Sequence, residues 1–358
     1  MRIESIKLVN FKNHENLNLN FHKRINFILG NNGIGKTNIL DAIHYLSFCK
    51  SFQKNLDRLN VKYGELFFSI RGVFNKNELN QEVYLAFDQK RFKKIKVDDQ
   101  VCEKFSDHIG KFPIVMTTPF DSALILNFSD TRRKFMDILI CQMDSIYLHK
   151  IIIYRKLLKQ RNVLLKNKNV HEADITIYDT KLNDTSKYIF NKRKEIINIL
   201  REKACYYYRE ISNGEDVDLV YKSQLFDEDL DSLLKKNFQK DQILHYTSCG
   251  IHRDDIDFFL KNNTFKKSAS QGQQKSLILA LKFAEFDILK EKLNFNPLLL
   301  IDDLFDKLDE NRIKKIMLLI QNNFGQVILT DTNSIRVKNI LSELKIDANS
   351  IIIDSQKD

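Results

Sequence analysis

The sequence predicts an α/β fold in which a buried sheet is interrupted by a long helical insertion. Three observations predict it. Ile25, Phe27, Ile28 and Leu29 form a short apolar run, followed by a glycine-rich turn and by Ile39, Ile43 and Leu46 at helical spacing. That is the pattern of a strand buried on both faces that feeds a helix. From about Ser122 the texture changes to long helical periodicities. Far downstream, Pro297 starts Leu298-Leu299-Leu300-Ile301, a second buried strand ending in Asp302-Asp303.

The bulk numbers narrow the class. At 358 residues the chain can form one large or two medium domains, and 43% hydrophobic with 29% charged residues is the make-up of a globular protein. The net charge of +10 and pI near 9.1 suggest a polyanionic partner. With only 3 Pro and 10 Gly, long disordered linkers are not expected. The five cysteines, Cys49, Cys102, Cys141, Cys205 and Cys249, are scattered without a C-x-x-C pair, as expected of reduced thiols. The N-terminus has no signal-peptide pattern and no apolar run reaches membrane length, so a soluble, cytoplasmic protein with no membrane association is expected.

Along the chain, Ile3–Leu8 and Leu17-Asn18-Leu19-Asn20-Phe21 read as paired strands around the loop Asn10–His14. Gly30-Asn31-Asn32-Gly33-Ile34-Gly35-Lys36-Thr37 then fits G-x-x-x-x-G-K-[ST] without a mismatch, between strand and helix. Glycines let backbone N–H groups turn inward and approach phosphate oxygens, and the helix aims its positive end at the same anion. Residues Gly30 to Thr37 and the following Asn38 are therefore the expected nucleoside triphosphate contacts. Lys36 would reach the β and γ phosphates, and Thr37 would offer a hydroxyl to Mg²⁺.

Strand-like Leu66–Phe74 and Glu82–Phe87 follow, Arg91–Lys96 suggests a hairpin end, and Phe112–Thr118 a buried strand closed by Pro119. Phe135, Ile138, Leu139 and Gln142-Met143 fit one helix, Tyr154 to Leu165 a second, and Asp174 to about Ile211 a third. Between Ile146 and Val170 there are seven Lys or Arg and no acid, read either as a solvated helix face or as a phosphate-facing surface. A hairpin from Asp255, a long helix after Ser270, a helix near Asn311–Gln321, the strand Gln326–Thr330 and one more helix and strand complete the chain.

A strand ending in Asp, downstream of a P-loop, supplies the second half of a nucleotide site. Asp302 would hold Mg²⁺, and Asp303 would orient the attacking water. Ser270-Gln271-Gly272-Gln273-Gln274 opens a helix with a hydroxyl, a glycine and free amides, a second anion cradle. One chain needs one cradle per nucleotide, so this one is expected to serve the γ-phosphate held by another copy. Gly250-Ile251-His252-Arg253-Asp254-Asp255 contains H-R-D, but Phe259 stands where a kinase needs Asn and no D-F-G occurs. It is expected to be a polar turn against the nucleotide site or the neighbouring lobe.

The P-loop, the signature-like Ser270–Gln274, the strand ending at Asp302-Asp303 and the turn Asp306–Asp309 resemble an ABC-type ATPase of the SMC-like group. The N-terminal I-x-x-I-x-L-x-N-F-K-N, Tyr154–Asn162, Gly250–Asp255 and Ala269–Lys275 extend the likeness to the RecF family over essentially the whole chain. That resemblance implies a P-loop ABC-type ATPase head with an inserted helical lobe. Residues 1–121 and 292–358 would form the nucleotide-binding lobe and 122–291 the helical lobe. It also implies Ser270, Gly272 and Gln273 as nucleotide contacts in trans, with ATP and Mg²⁺ as cofactors. The expected function is an ATP-dependent homodimer on DNA, single-stranded or duplex, at gaps and junctions. Weak DNA-stimulated hydrolysis and recombinase loading with RecR and RecO-type partners would go with it. Departures from the wider class are Thr330-Asp331-Thr332 in place of a switch His, Asp303 in place of Glu, and no placed Q-loop glutamine near Thr117–Pro119. An ATP-holding scaffold, another SMC-like subunit and a transporter subunit remain alternatives. Against the last stands the long stretch between Lys36 and Ser270.

Overall fold

The computed structural model describes residues 1–53, 56–90, 92–126, 128–167 and 171–353, the Phe92 side chain excepted. The chain begins with β1 (Arg2–Phe11) and β2 (His14–Asn20), an antiparallel pair in which Leu8 faces Leu17, as the alternation predicts. Next come β3 (Ile25–Leu29), buried at all five positions, and α1 (Lys36–Phe48). Then β4 (Phe67–Lys76), β5 (Leu79–Asp88), β6 (Phe92–Val97) and β7 (Gln100–Val101) extend the first pair into one antiparallel sheet, ordered β2-β1-β4-β5-β6-β7. The basic stretch expected to end a hairpin is thus a full strand: β6 pairs with β5 from Val83–Val97 to Asp88–Phe92. Arg91 lies outside the described residues.

After β8 (Ile114–Thr117) the helical part begins with α2 (Ala123–Leu126), α3 (Ser129–Cys141), α4 (Ser145–Leu164) and the 40-residue α5 (Glu172–Ile211). α3 stops one residue short of Gln142, whose side-chain oxygen accepts the Ile114 N–H at 2.9 Å. β9 (Val217–Lys222), α6 (Leu230–Lys236) and α7 (Phe238–Leu244) were not anticipated, because their apolar positions are too few for a periodic signal. β10 (Asp255–Leu260) and β11 (Asn263–Thr264) join β9 in a small antiparallel sheet. The chain closes with α8 (Phe265–Ser268), α9 (Gln271–Leu293), β12 (Leu298–Ile301), α10 (Glu310–Asn323), β13 (Val327–Asp331), α11 (Ser334–Leu344) and β14 (Asn349–Ile352).

The central sheet is wholly parallel, in the order β14-β3-β13-β12-β8, so distant parts of the chain share it. Its alternate residues serve two cores. Ile28, Leu298, Leu300 and Ile328 pack with α1 and the inner face of the antiparallel sheet. Phe27, Leu299, Ile301 and Leu329 pack with α9 and α10 in a core that continues into the helical part. Apolar residues on both faces explain why these strands read as continuous apolar runs.

The helical part is held by buried charge. α4 and α5 lie antiparallel, with Asp144 bonded to Tyr188 at one end and Arg161 to Asp179 at the other. The fully buried Arg161 also donates to Asp241 at 2.7 Å and Thr247 at 2.9 Å. Arg193, equally buried, donates to Asp137, Tyr147, Asp254 and the Ile251 carbonyl. The turn at Gly250–Asp255 therefore faces the helical interior rather than the nucleotide loop. His252 accepts from Tyr154 through Nδ1 at 2.8 Å and donates to the Thr247 carbonyl through Nε2 at 3.0 Å. Its H-R-D triplet is a structural clamp.

Candidate nucleotide-binding site

The loop between β3 and α1 is shaped by what lies behind it as well as by what would bind in front. A Cβ on Gly35 would fall 2.5 Å from the side chains of Asn13 and His14, and its φ of +104° suits glycine. A Cβ on Gly30 would fall 2.6 Å from the Ile353 carbonyl at the end of β14. From the β1–β2 turn, Asn13 donates to the Ile34 carbonyl at 2.8 Å and accepts from Asn38 at 2.7 Å, and His14 donates to the Gly35 carbonyl at 3.1 Å. That turn therefore backs the loop. Asn31, Asn32 and Gly33 are exposed on the other side. Lys36 is buried, and its ammonium donates to the Gly30 and Asn31 carbonyls at 2.8 and 2.9 Å, across the mouth of the loop.

Parallel pairing of β12 with β13, and of β13 with β3, carries the two Asp residues to the same edge. The Thr37 hydroxyl lies 3.0 and 2.9 Å from the two carboxylate oxygens of Asp302. The Thr330 hydroxyl donates to Asp302 at 2.7 Å and accepts the Asp303 N–H at 3.0 Å. Burial pushes the Asp302 carboxyl above its ordinary range, opposed by the hydroxyls of Thr330 and Thr37. A hydroxyl and a carboxylate converging at one point are hard oxygen donors of the kind that suits Mg²⁺. Thr37 and Asp302 could hold that ion, which would supply positive charge beside a bound triphosphate, and Lys36 could face its phosphates.

Asp303 sits beyond the strand with φ +48°, a left-handed conformation that Asp tolerates better than most residues. Burial raises its carboxyl as well, with Lys36 opposing. Thr330 emerges as a site residue that sequence reasoning missed as such. The available signal was a polar Thr-Asp pair closing an apolar strand.

The segment Ser270–Gln274 caps α9. The Ser270 hydroxyl accepts from the Gln273 N–H at 3.2 Å, and the Gln273 side chain accepts from the Ser270 N–H at 2.9 Å. Gln273 also donates to both oxygens of Glu215 at 3.1 Å. The Ser270 N–H, the Gln273 N–H and the Gln273 side-chain amide are thus engaged within the chain, and Ser270 and Gln271 are exposed. Gly272 leaves room for Arg312, whose guanidinium would lie 2.9 Å from a Cβ there. Among the described residues no hydrogen bond joins Ser270–Gln274 to the chain's own glycine loop, while Lys275, one turn further along α9, reaches the Asp303 carbonyl. Thr117-Thr118-Pro119 supplies no glutamine; the Thr117 carbonyl accepts the Asp302 N–H at 2.9 Å.

Comparison with known proteins decides the family. A DNA replication and repair protein RecF from Flavobacterium johnsoniae is 43% identical over 347 residues, covering 95% of this chain and 97% of that relative. The chain belongs to the RecF family. The RecF of Bacteroides thetaiotaomicron is 38% identical over 358 residues, 99% of this chain and 97% of its own length. A family model described as the RecF/RecN/SMC N terminal domain matches residues 2–104, the stretch holding the glycine loop and the antiparallel sheet.

A solved structure described as the recombination mediator protein RecF-ATPrS in the RecFOR pathway superposes with a TM-score of 0.87 at 27% identity. It covers 99% of this chain and 98% of that one. A second, described as RecF-ATP in the same pathway, gives 0.85 at 30% identity, with 93% and 92% covered. An Smc head bound to a ScpA domain, at 15% identity and TM-score 0.56, shares the fold alone. The α/β head of ABC type with a helical insertion is therefore the fold of this chain.

Proposed function

We propose that this RecF-family chain binds ATP·Mg²⁺ at Gly30–Asn38 with Asp302, and that two copies close head to tail on DNA during recombinational repair and replication. The observation that carries the reading is the meeting of Thr37, in the first turn of α1 after β3, with Asp302, just after β12 of the same parallel sheet, beside Lys36 across the loop mouth. In this reading residues 1–121 and 292–358 form the nucleotide-binding lobe and 122–291 the helical lobe. Each Ser270, with Gly272 and Gln273, faces the partner's γ-phosphate. Asp303 orients the attacking water, so hydrolysis opens the dimer and ATP times its residence on DNA. Asp303 in place of a longer carboxylate, and Thr330-Asp331-Thr332 in place of a switch His, favour slow turnover. The family and the pathway named for its solved members support DNA at single-strand gaps and RecR and RecO-type proteins as partners, in the cytoplasm.

Of the basic residues between Ile146 and Val170, Arg161 is buried among acids and Arg155 donates to Asp137 at 2.7 Å, while Lys156, Lys159 and Lys166 are exposed and remain candidates for phosphate contacts; Lys168 to Val170 lie outside the described residues. A second candidate for phosphate contacts crosses the outer face of the antiparallel sheet. Lys7, Arg71, Tyr84 and Lys96 stand opposite one another on four strands, with Lys94 one step along β6. Glu82 pairs with Arg71 at 3.0 Å and Asp99 with Lys96 at 3.4 Å, while Lys7 and Lys94 are exposed.

The test is sedimentation with ATP, ADP or neither, with and without gapped DNA. Dimers with ATP alone, shifted onto DNA, are expected. Ser270→Arg should bind ATP as a monomer yet fail to dimerise; if it dimerises with ATP, the trans cradle is refuted.

A further inference from the structure

α9 reaches two places at once. Its exposed N-cap, Ser270, is the proposed seat for the partner's phosphate. One turn further, the Lys275 ammonium donates to the main-chain oxygen of Asp303 at 2.5 Å. The Asp303 peptide is therefore clamped on both sides, its N–H by the Thr330 hydroxyl and its carbonyl by Lys275. The Asp303 carboxylate itself makes no hydrogen bond among the described residues, so the clamp fixes the main chain and leaves the side chain free to act. A left-handed Asp is a conformation that surrounding contacts must hold. Lys275 stands among the carboxylates of Asp303, Asp306 and Asp331, with Lys307 as the nearby like charge. No other side chain of α9 bonds to the turn after β12 among the described residues.

We propose that Lys275 is a positioning residue for hydrolysis, tying the helix that would seat the partner's nucleotide to the residue that would orient water in its own chain. The inference rests on the reading of Asp303 given above and adds a route by which closure of the dimer sets hydrolysis. A shift of α9 on closure moves the Lys275 ammonium, and with it the Asp303 carbonyl and the direction of its carboxylate. A misplacement of that scale is enough to cost catalysis without touching nucleotide affinity.

The experiment measures ATP affinity, ATP-dependent dimerisation and turnover in Lys275→Met, Lys275→Arg, Asp303→Asn and the Lys275→Met/Asp303→Asn double variant. Lys275→Met should dimerise and bind ATP within about threefold of the parent while kcat falls about tenfold or more at unchanged KM. Lys275→Arg, able to reach the same oxygen, should recover most of that loss. The double variant should be no slower than Asp303→Asn, since both act through one carboxylate. Additive losses, normal turnover in Lys275→Met, or loss of ATP binding there would overturn the proposal. If Lys275→Met fails to fold, Lys275→Gln, polar but too short and uncharged to hold the same oxygen, decides it: a kcat about tenfold or more below the parent at unchanged KM is expected, and parent-level turnover would overturn the proposal. Full hydrolysis by Asp303→Asn would instead overturn the underlying reading of Asp303.

Discussion

Thr37 and Asp302 are 265 positions apart in the chain, and the hydroxyl of one lies within 3.0 Å of both carboxylate oxygens of the other. The pair joins the first turn of α1 to the end of β12, two elements in contact only because β13 lies between their strands.

Removing either member should weaken ATP binding in Mg²⁺ more than in chelator. Thr37→Ala or Asp302→Asn is expected to lower affinity about 10- to 100-fold with Mg²⁺, measured by calorimetric titration. Lys36→Ala should abolish ATP-dependent dimerisation outright. Unchanged affinity in Lys36→Ala would remove the nucleotide assignment.

Asp303→Asn keeps the shape of the side chain and loses its charge. ATP should bind with parent affinity while hydrolysis falls about 100-fold or more, and the dimer should stay on DNA longer in a dissociation assay. Parent-rate hydrolysis would make Asp303 a purely structural turn residue.

DNA binding through the outer face of the antiparallel sheet should depend on salt and scarcely on sequence. Each lost phosphate contact lowers the slope of log K against log salt by roughly 0.9 on duplex DNA. Lys7→Glu with Lys94→Glu should flatten the slope by about two such steps and leave ATP affinity intact. An unchanged slope would place the DNA elsewhere.

Burial pushes His252 down to about 4 from an ordinary 6.5. The unfolded chain thus takes up a proton below pH 6.5 that the folded chain refuses until about pH 4, and stability is lost as pH falls through that window. His252→Gln removes this proton uptake, so between pH 7 and 5 the parent should lose about 1–2 kcal/mol more than the variant, read from thermal melts. Parallel losses would mean that His252 is protonated in the fold.

The glycine loop, the strand ending at Asp302-Asp303, the approximate bounds of α5 and the start of α9 were legible because each is a local pattern. A run of six to forty residues carries its own periodicity, caps and breakers, and those are set by neighbours in the chain. The helix after Ser270 was legible for the same reason, since its capping box uses residues three apart. What the turn at His252 does was not legible. Its partners Tyr154, Thr247 and Arg193 come from three different segments, and nothing in G-I-H-R-D-D says that they surround it.

Sequence by itself determined the α/β class, the glycine loop Gly30–Thr37 between strand and helix, and the Asp302-Asp303 pair at a strand's end. Tertiary structure decided that Asn13 and His14 back the glycine loop, that Thr330 and Lys275 hold Asp303, and that Lys7, Arg71, Tyr84 and Lys96 stand in one row across four strands. The physical reason is the difference between periodicity and register. Apolar spacing decides which face of each element is buried, whereas the alignment of one strand against another is set by packing the whole core. Contacts such as Lys275 with Asp303 exist only once that packing is complete.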